Sequence, residues 1–189
     1  MNIKNFINKV WTNEDKWGIT HFELTNLQEK ILELMIEEPY FIGELQRQRH
    51  GKSEMCLMYA AYMAARSSDK KITLVYHNET EYKNASERLL NRLKDTMLLR
   101  AGGNGIFKFH NKSTIRMTVN GIGVEDSEIV IIDEAAWFEE EKLSDVIKNC
   151  TEYTEVKILT YPNENSSETY RKIINTPEYT YLRYSMVED

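Results

Sequence analysis

At 189 residues, the chain is long enough for one domain that buries roughly 70% of its unfolded surface, so no disulfide or metal staple is needed. With 41% hydrophobic and 29% charged residues, the composition is that of an ordinary globular protein. A formal net charge of −6 argues against a wholesale nucleic-acid coat and leaves room only for a local basic patch, such as Arg47, Arg49 and His50.

Cys56 and Cys150 show no metal or redox spacing and are expected to be small core residues. The first residues lack a signal-peptide pattern. The longest apolar run, 55–65, is too short to span a bilayer. A reducing cytoplasm is the expected setting.

In chain order, Ile3, Phe6, Ile7, Val10 and Trp11 recur at helical spacing and predict a helix that packs on the chain's own core or takes a partner. Residues 1–23 are expected to form a helical appendage to a domain spanning 24–189. A firm helix follows over 24–38, with Thr25 as N-cap, Gln28 completing a capping box, Pro39 as stop and Leu27, Ile31, Leu34 and Met35 as its buried stripe. Gln28 has a second reading, because its side-chain amide can match the donor and acceptor on an adenine edge.

The run 40–46 predicts a core strand. It leads through Arg47, Gln48, Arg49 and His50 into Gly51-Lys52-Ser53, which opens a helix over 52–66 that is apolar on most faces. Strand, loop and Gly-Lys-Ser at a helix start form a phosphate cradle: backbone N–H groups face the anion, lysine supplies a point charge and serine reaches Mg²⁺. The first glycine of the full pattern is replaced by Gln46.

A strand is predicted at 72–77 and a helix at 79–97 with Tyr82, Ala85, Leu89, Leu93 and Met97 on one face. Residues 101–105 read as a flexible turn. The segment 106–119 reads as a β-hairpin, with Phe107 and Phe109 sharing one face and Ile115, Met117 and Val119 another. Residues 120–127 form a loop that either moves around a ligand or merely connects strands.

The stretch EIVIIDEAAWF, 128–138, carries the second motif. Its apolar run predicts a strand buried on both faces. It ends in Asp133-Glu134, a pair costly to bury without a cation or donors, at the strand end where open α/β sheets place ligands. There Asp133 could bind Mg²⁺ and Glu134 could polarise an attacking water. A polar helix over 139–150 and a strand over 156–161 follow. Thr160 could sense a γ-phosphate or be an ordinary strand-end residue. A helix over 166–175, capped by Asn165, and a strand over 179–186 complete the chain. The expected architecture is α/β: a mostly parallel β-sheet flanked by helices, with the β-hairpin as an insertion or as antiparallel strands.

In order, Gln28, QRQRHGKS (46–53), IVIIDEAAWF (129–138) and LTYPN (159–163) resemble the ATPase domain of phage large terminase subunits, over nearly the whole chain. The resemblance implies a P-loop NTPase of the ASCE type. Gln28 would contact adenine; Gln48, His50, Gly51, Lys52 and Ser53 would cradle ATP; Ser53 and Asp133 would hold Mg²⁺. Glu134 would be the catalytic carboxylate, and Thr160 would couple hydrolysis to movement. An arginine would neutralise transition-state charge, a role worth about 10³–10⁵ in rate; Arg47 and Arg49 both qualify, and the register does not choose between them. The implied partners are double-stranded DNA, a ring of identical subunits on a portal, a small terminase subunit and a separate nuclease domain or chain, in the host cytoplasm and without a membrane. The nuclease domain usual in such proteins has no counterpart here, so no nuclease activity is expected. Two rival readings are half of a helicase, and a nucleotide-gated assembly module without useful turnover.

Overall fold

The computed structural model describes residues 2–15, 18–46 and 51–184, of 13–15 and 18–21 the backbone only. Arg47, Gln48, Arg49 and His50 therefore lie outside the described residues.

Helix α1 (Ile3–Val10) starts where the Asn2 side chain accepts from the Asn5 amide at 2.9 Å. Its apolar stripe, with Trp11, turns inward, and Phe6 meets Tyr62 edge-on at 5.7 Å between ring centres. The N-terminal residues thus share the core of the rest of the chain. A two-stranded antiparallel ribbon follows, β1 (Thr12–Asp15) with β2 (Gly18–His21). Its short, polar strands carry no alternating pattern, and the sequence reading had no strands there.

Helix α2 (Asn26–Glu37) has Thr25 as N-cap and the full capping box with Gln28. Ile31, Leu32 and Met35 are fully buried, while Leu27 and Leu34 are only partly so. The buried face is therefore rotated slightly from the expected stripe. Strand β3 (Tyr40–Leu45) leads to helix α3 (Lys52–Arg66), which is buried on every side from Met55 to Ala64. Helices α1 and α2 pack on it from outside, and the sheet lies beneath. Its apolar circumference is thus a consequence of its central place.

Strand β4 (Lys71–Tyr76) and helix α4 (Glu79–Leu93) come next. The helix stops short of the expected 97, because the chain turns at Lys94–Met97, and Met97 stands 97% exposed rather than on the buried face. The glycine-rich stretch read as a turn is strand β5 (Leu99–Gly103), paired antiparallel with β6 (Ile106–Phe109). Strand β6 forms the expected hairpin with β7 (Thr114–Thr118). In its register Phe107 opposes Ile115, so Phe107, Phe109, Ile115 and Met117 all enter one core instead of two faces. Strand β7 is also no decoration: it pairs parallel with β4.

Strands β8 (Ile129–Asp133), β9 (Glu155–Thr160) and β10 (Thr180–Tyr184) complete an eight-stranded sheet in the order β10-β3-β9-β8-β4-β7-β6-β5. Pairing is parallel from β10 through β7 and antiparallel at β6 and β5. Along β8, Ile129 and Ile131 enter the core under α3, and Val130 and Ile132 enter the opposite core. That opposite face is covered by helices α5 (Glu140–Asn149) and α6 (Glu168–Ile173). The cap of α6 is Ser167, accepting from the Tyr170 amide, rather than Asn165. Cys56 and Cys150 are free thiols, buried and half-buried respectively. Among the described residues no helix is long and apolar enough to cross a membrane.

This topology fixes the site. Strand β9 is inserted between β3 and β8. The carboxyl ends of these three parallel strands therefore open on one edge, with residues 45–46, 133–134 and 160–161 side by side.

Candidate active site

Gly51 opens α3 in the left-handed conformation, φ +74°, which only glycine adopts without strain. A Cβ there would lie 3.0 Å from the Gln28 amide nitrogen. Gln28 meanwhile completes the α2 cap, its Oε1 accepting from the Thr25 amide at 3.0 Å. Its oxygen thus serves the cap, and its nitrogen lies beside Gly51.

Lys52 is 7% exposed, and its Nζ stands 3.2 Å from Glu134 Oε1. Glu134 follows directly on β8 with φ +61°, a strained choice for a side chain, costing about 1–3 kcal/mol. The turn it makes into the short 3₁₀ helix Ala135–Trp137 aims the carboxylate at Lys52. Its other oxygen accepts from the Tyr161 amide at 2.7 Å.

Thr160 is fully buried at the end of β9. Its hydroxyl accepts from the Ala136 amide at 3.1 Å and lies 3.5 Å from Glu134 Oε2. Asn163 donates to the Ala136 carbonyl at 3.1 Å. The segments after β8 and after β9 are therefore stapled together, with Glu134 between them.

Asp133 is 2% exposed, and its Oδ1 has no hydrogen-bond partner among the described residues. Burial raises its carboxyl to about 7; the Ser53 hydroxyl bond opposes this and the Glu134 charge adds to it. An orphaned buried oxygen beside a serine hydroxyl suits a hard cation that takes one or two protein oxygens and keeps its waters, as Mg²⁺ does. Among the described residues no group of three or more carboxylate, imidazole or thiol side chains could hold a metal by itself.

Above these groups opens a cleft of about 380 Å³, bounded by Gly51, Lys52, Ser53, Glu134, Trp137 and Tyr161. The Tyr161 ring lies 5.7 Å from Lys52 Nζ and stacks on Trp137 with 22° between planes. His77, Glu81, Arg88 and Glu54 form the far wall. None of these four was singled out in the sequence. His77 reaches the cleft because β4 pairs with β8 and Tyr76 lies opposite Asp133, a pairing that no residue pattern announces.

No protein-family model matches the sequence, and no curated protein matches it. Solved structures do. A mutant ATPase domain of the Thermus phage P74-26 large terminase aligns with a TM-score of 0.57 at 13% identity, covering 86% of each chain. The chain has the fold of phage large-terminase ATPase domains. The large terminase of a thermophilic bacteriophage, solved in complex with ATP-gamma-S, aligns with a TM-score of 0.63 at 15% identity. There 87% of this chain covers 45% of the other, so the chain spans less than half of that terminase. The UvsW helicase of bacteriophage T4 shares the architecture, with a TM-score of 0.66 at 10% identity over 96% of this chain and 66% of the helicase. In this chain one strand, β9, lies between β3 and β8, and Glu134 directly follows β8.

Proposed function

We propose that the chain is an Mg²⁺-dependent ATPase and the motor part of a large terminase, moving double-stranded DNA into a procapsid. The observation that carries this reading is the 3.2 Å approach of Lys52 to Glu134 across β9. It joins a phosphate cation and a candidate base at the mouth of one cleft.

The geometry supports the following roles. The first-turn amides of α3 and Lys52 bind the phosphate chain. Ser53 and Asp133 would hold Mg²⁺, which would neutralise charge on the phosphate oxygens. Phosphate arrival draws Lys52 away from Glu134. Glu134 is then free to polarise the attacking water, its orientation kept by the Tyr161 amide. Thr160, bonded to both catalytic segments, passes the change to β9 and its flanking loops. Gln28 contacts the base, and Arg47, Gln48, Arg49 and His50 complete the phosphate loop. Double-stranded DNA, a ring of identical subunits on a portal, a small terminase subunit and a separate nuclease complete the assembly in the host cytoplasm.

The test is ATP turnover by the purified chain with and without Mg²⁺, against Lys52→Ala and Glu134→Gln. Turnover that needs Mg²⁺ and disappears in both variants is expected. Equal rates in Glu134→Gln and wild type would overturn the reading. The likeness to a helicase favours one rival, half of an unwinding motor. Strand separation by the isolated chain, with no DNA-packaging partner, would select it.

A further inference from the structure

The cleft contains a second cation to which the roles above give no work. Arg88 projects from α4 into the space bounded by Gly51, Lys52, Ser53 and Glu134. Its Nη1 is 3.3 Å from Glu54 Oε2, and its Nε is 3.4 Å from the Asn84 carbonyl. Both contacts are at the long end of hydrogen bonding.

Glu54 does not depend on Arg88. Its Oε1 accepts from the Trp11 indole N–H at 2.5 Å and lies 3.7 Å from Arg92 Nε. Arg92 is itself anchored on the Thr12 carbonyl at 2.8 Å. The exposures agree: the Arg88 side chain is 42% exposed and that of Glu54 16%. Glu54 is fixed from behind, and Arg88 rests on it loosely.

Charge gives Arg88 its task. The described residues around the cleft supply two cations, Lys52 and Arg88, against three carboxylates, Glu54, Glu81 and Glu134. Asp133 lies just beneath them. Lys52 is already taken by Glu134, so among these groups an entering polyanion is met by Arg88 turning toward it. Glu54 directly follows Ser53 in the first turn of α3. A phosphate seated on that turn therefore comes beside the Glu54 carboxylate and within reach of the cation now facing it.

We propose that Arg88 is a nucleotide-contacting residue that exchanges Glu54 for the phosphate chain when nucleotide enters the cleft. It is a cation from α4, separate from the loop arginines. Glu54, held by Trp11 and Arg92, is the positioning residue that parks it. This rests on the ATPase reading above. A planar guanidinium matches phosphate oxygens in a way an ammonium does not.

The experiment measures binding of a slowly hydrolysed ATP analogue with Mg²⁺ to wild type, Arg88→Gln, Arg88→Lys, Glu54→Gln and Lys52→Ala, with melting temperatures alongside. Arg88→Gln should bind about tenfold or more weakly, with Arg88→Lys only partly restored. Glu54→Gln should bind as well as wild type or more tightly. A folded Arg88→Gln with wild-type affinity overturns the proposal. So does Glu54→Gln binding as poorly as Arg88→Gln, the result expected if the pair were only a structural tie. If the wild type binds no nucleotide, or Lys52→Ala binds normally, the ATPase reading itself has failed. Loss in Lys52→Ala with no change in Arg88→Gln sinks this inference alone.

Discussion

Lys52 Nζ and Glu134 Oε1 stand 3.2 Å apart, although 82 positions of sequence numbering separate them and β9 runs between their strands. In this pairing the lysine and the carboxylate neutralise each other at the wall of the cleft. Lys52→Ala should lose nucleotide binding. Glu134→Gln should keep it while turnover falls by about 10²–10⁴, the usual loss for a removed proton acceptor. Direct binding and steady-state rates on the same preparations check both.

Thr160 predicts a different kinetic signature. Thr160→Val keeps the side-chain volume but removes the acceptor for the Ala136 amide, loosening the turn that aims Glu134. A misplacement of the acid should lower kcat by up to about 10²-fold, with ATP affinity nearly unchanged. A raised KM with normal kcat would instead place Thr160 in ground-state binding.

Asp133 makes stability depend on pH. Its ordinary value is 3.8, and burial raises it to about 7 in the folded chain, so folding favours the protonated acid. The stability it contributes is full below pH 3.8 and is lost as pH rises through about 7, a change on the order of a few kcal/mol. The Mg²⁺-free wild type should therefore melt progressively lower from pH 5 to pH 8 relative to Asp133→Asn. Adding Mg²⁺ with nucleotide should recover most of that loss. Parallel melting curves for the two proteins across this range would refute the assignment.

Gln28 can be divided into its two duties. Thr25→Ala removes the cap hydroxyl that accepts from Gln28 and should cost about 1 kcal/mol of stability without altering nucleotide choice. Gln28→Ala should cost a similar amount and also erode preference for ATP over GTP. Competition binding of the two nucleotides distinguishes them.

Phe6 tests how firmly the first residues belong to the core. It is fully buried against Tyr62 on α3. Phe6→Ala should cost about 3–5 kcal/mol, read from denaturant unfolding as one cooperative transition. A loss below about 1 kcal/mol would mean that α1 contributes little to the stability of the rest.

The elements legible in the sequence were those whose pattern and burial agree. The run 129–132 reads as a strand buried on both faces, and its residues do alternate between two cores. Helix α3 has the expected limits because Gly51 starts it and its apolar circumference stops at Arg66. Strand β5 was hidden because Ala101-Gly102-Gly103 has no side chains with which to show a period, and only pairing with β6 makes it a strand. Met97 was misjudged because helical spacing alone cannot show where a helix has ended. In the site, residues adjacent to a motif were legible. Arg88 and His77 were not, since only the packing of α4 and β4 beside β8 brings them to the cleft.

The insertion of β9 between β3 and β8 also orders events during synthesis. Strands β3 and β8 are not joined into one sheet until residues 155–160 have left the ribosome and taken their place between them. Pairings of such long sequence separation form slowly and close late. A nascent chain halted near residue 150 holds Lys52, Asp133 and Glu134 yet no assembled pocket. On the proposed ATPase reading, connectivity alone would keep an unfinished copy from consuming ATP.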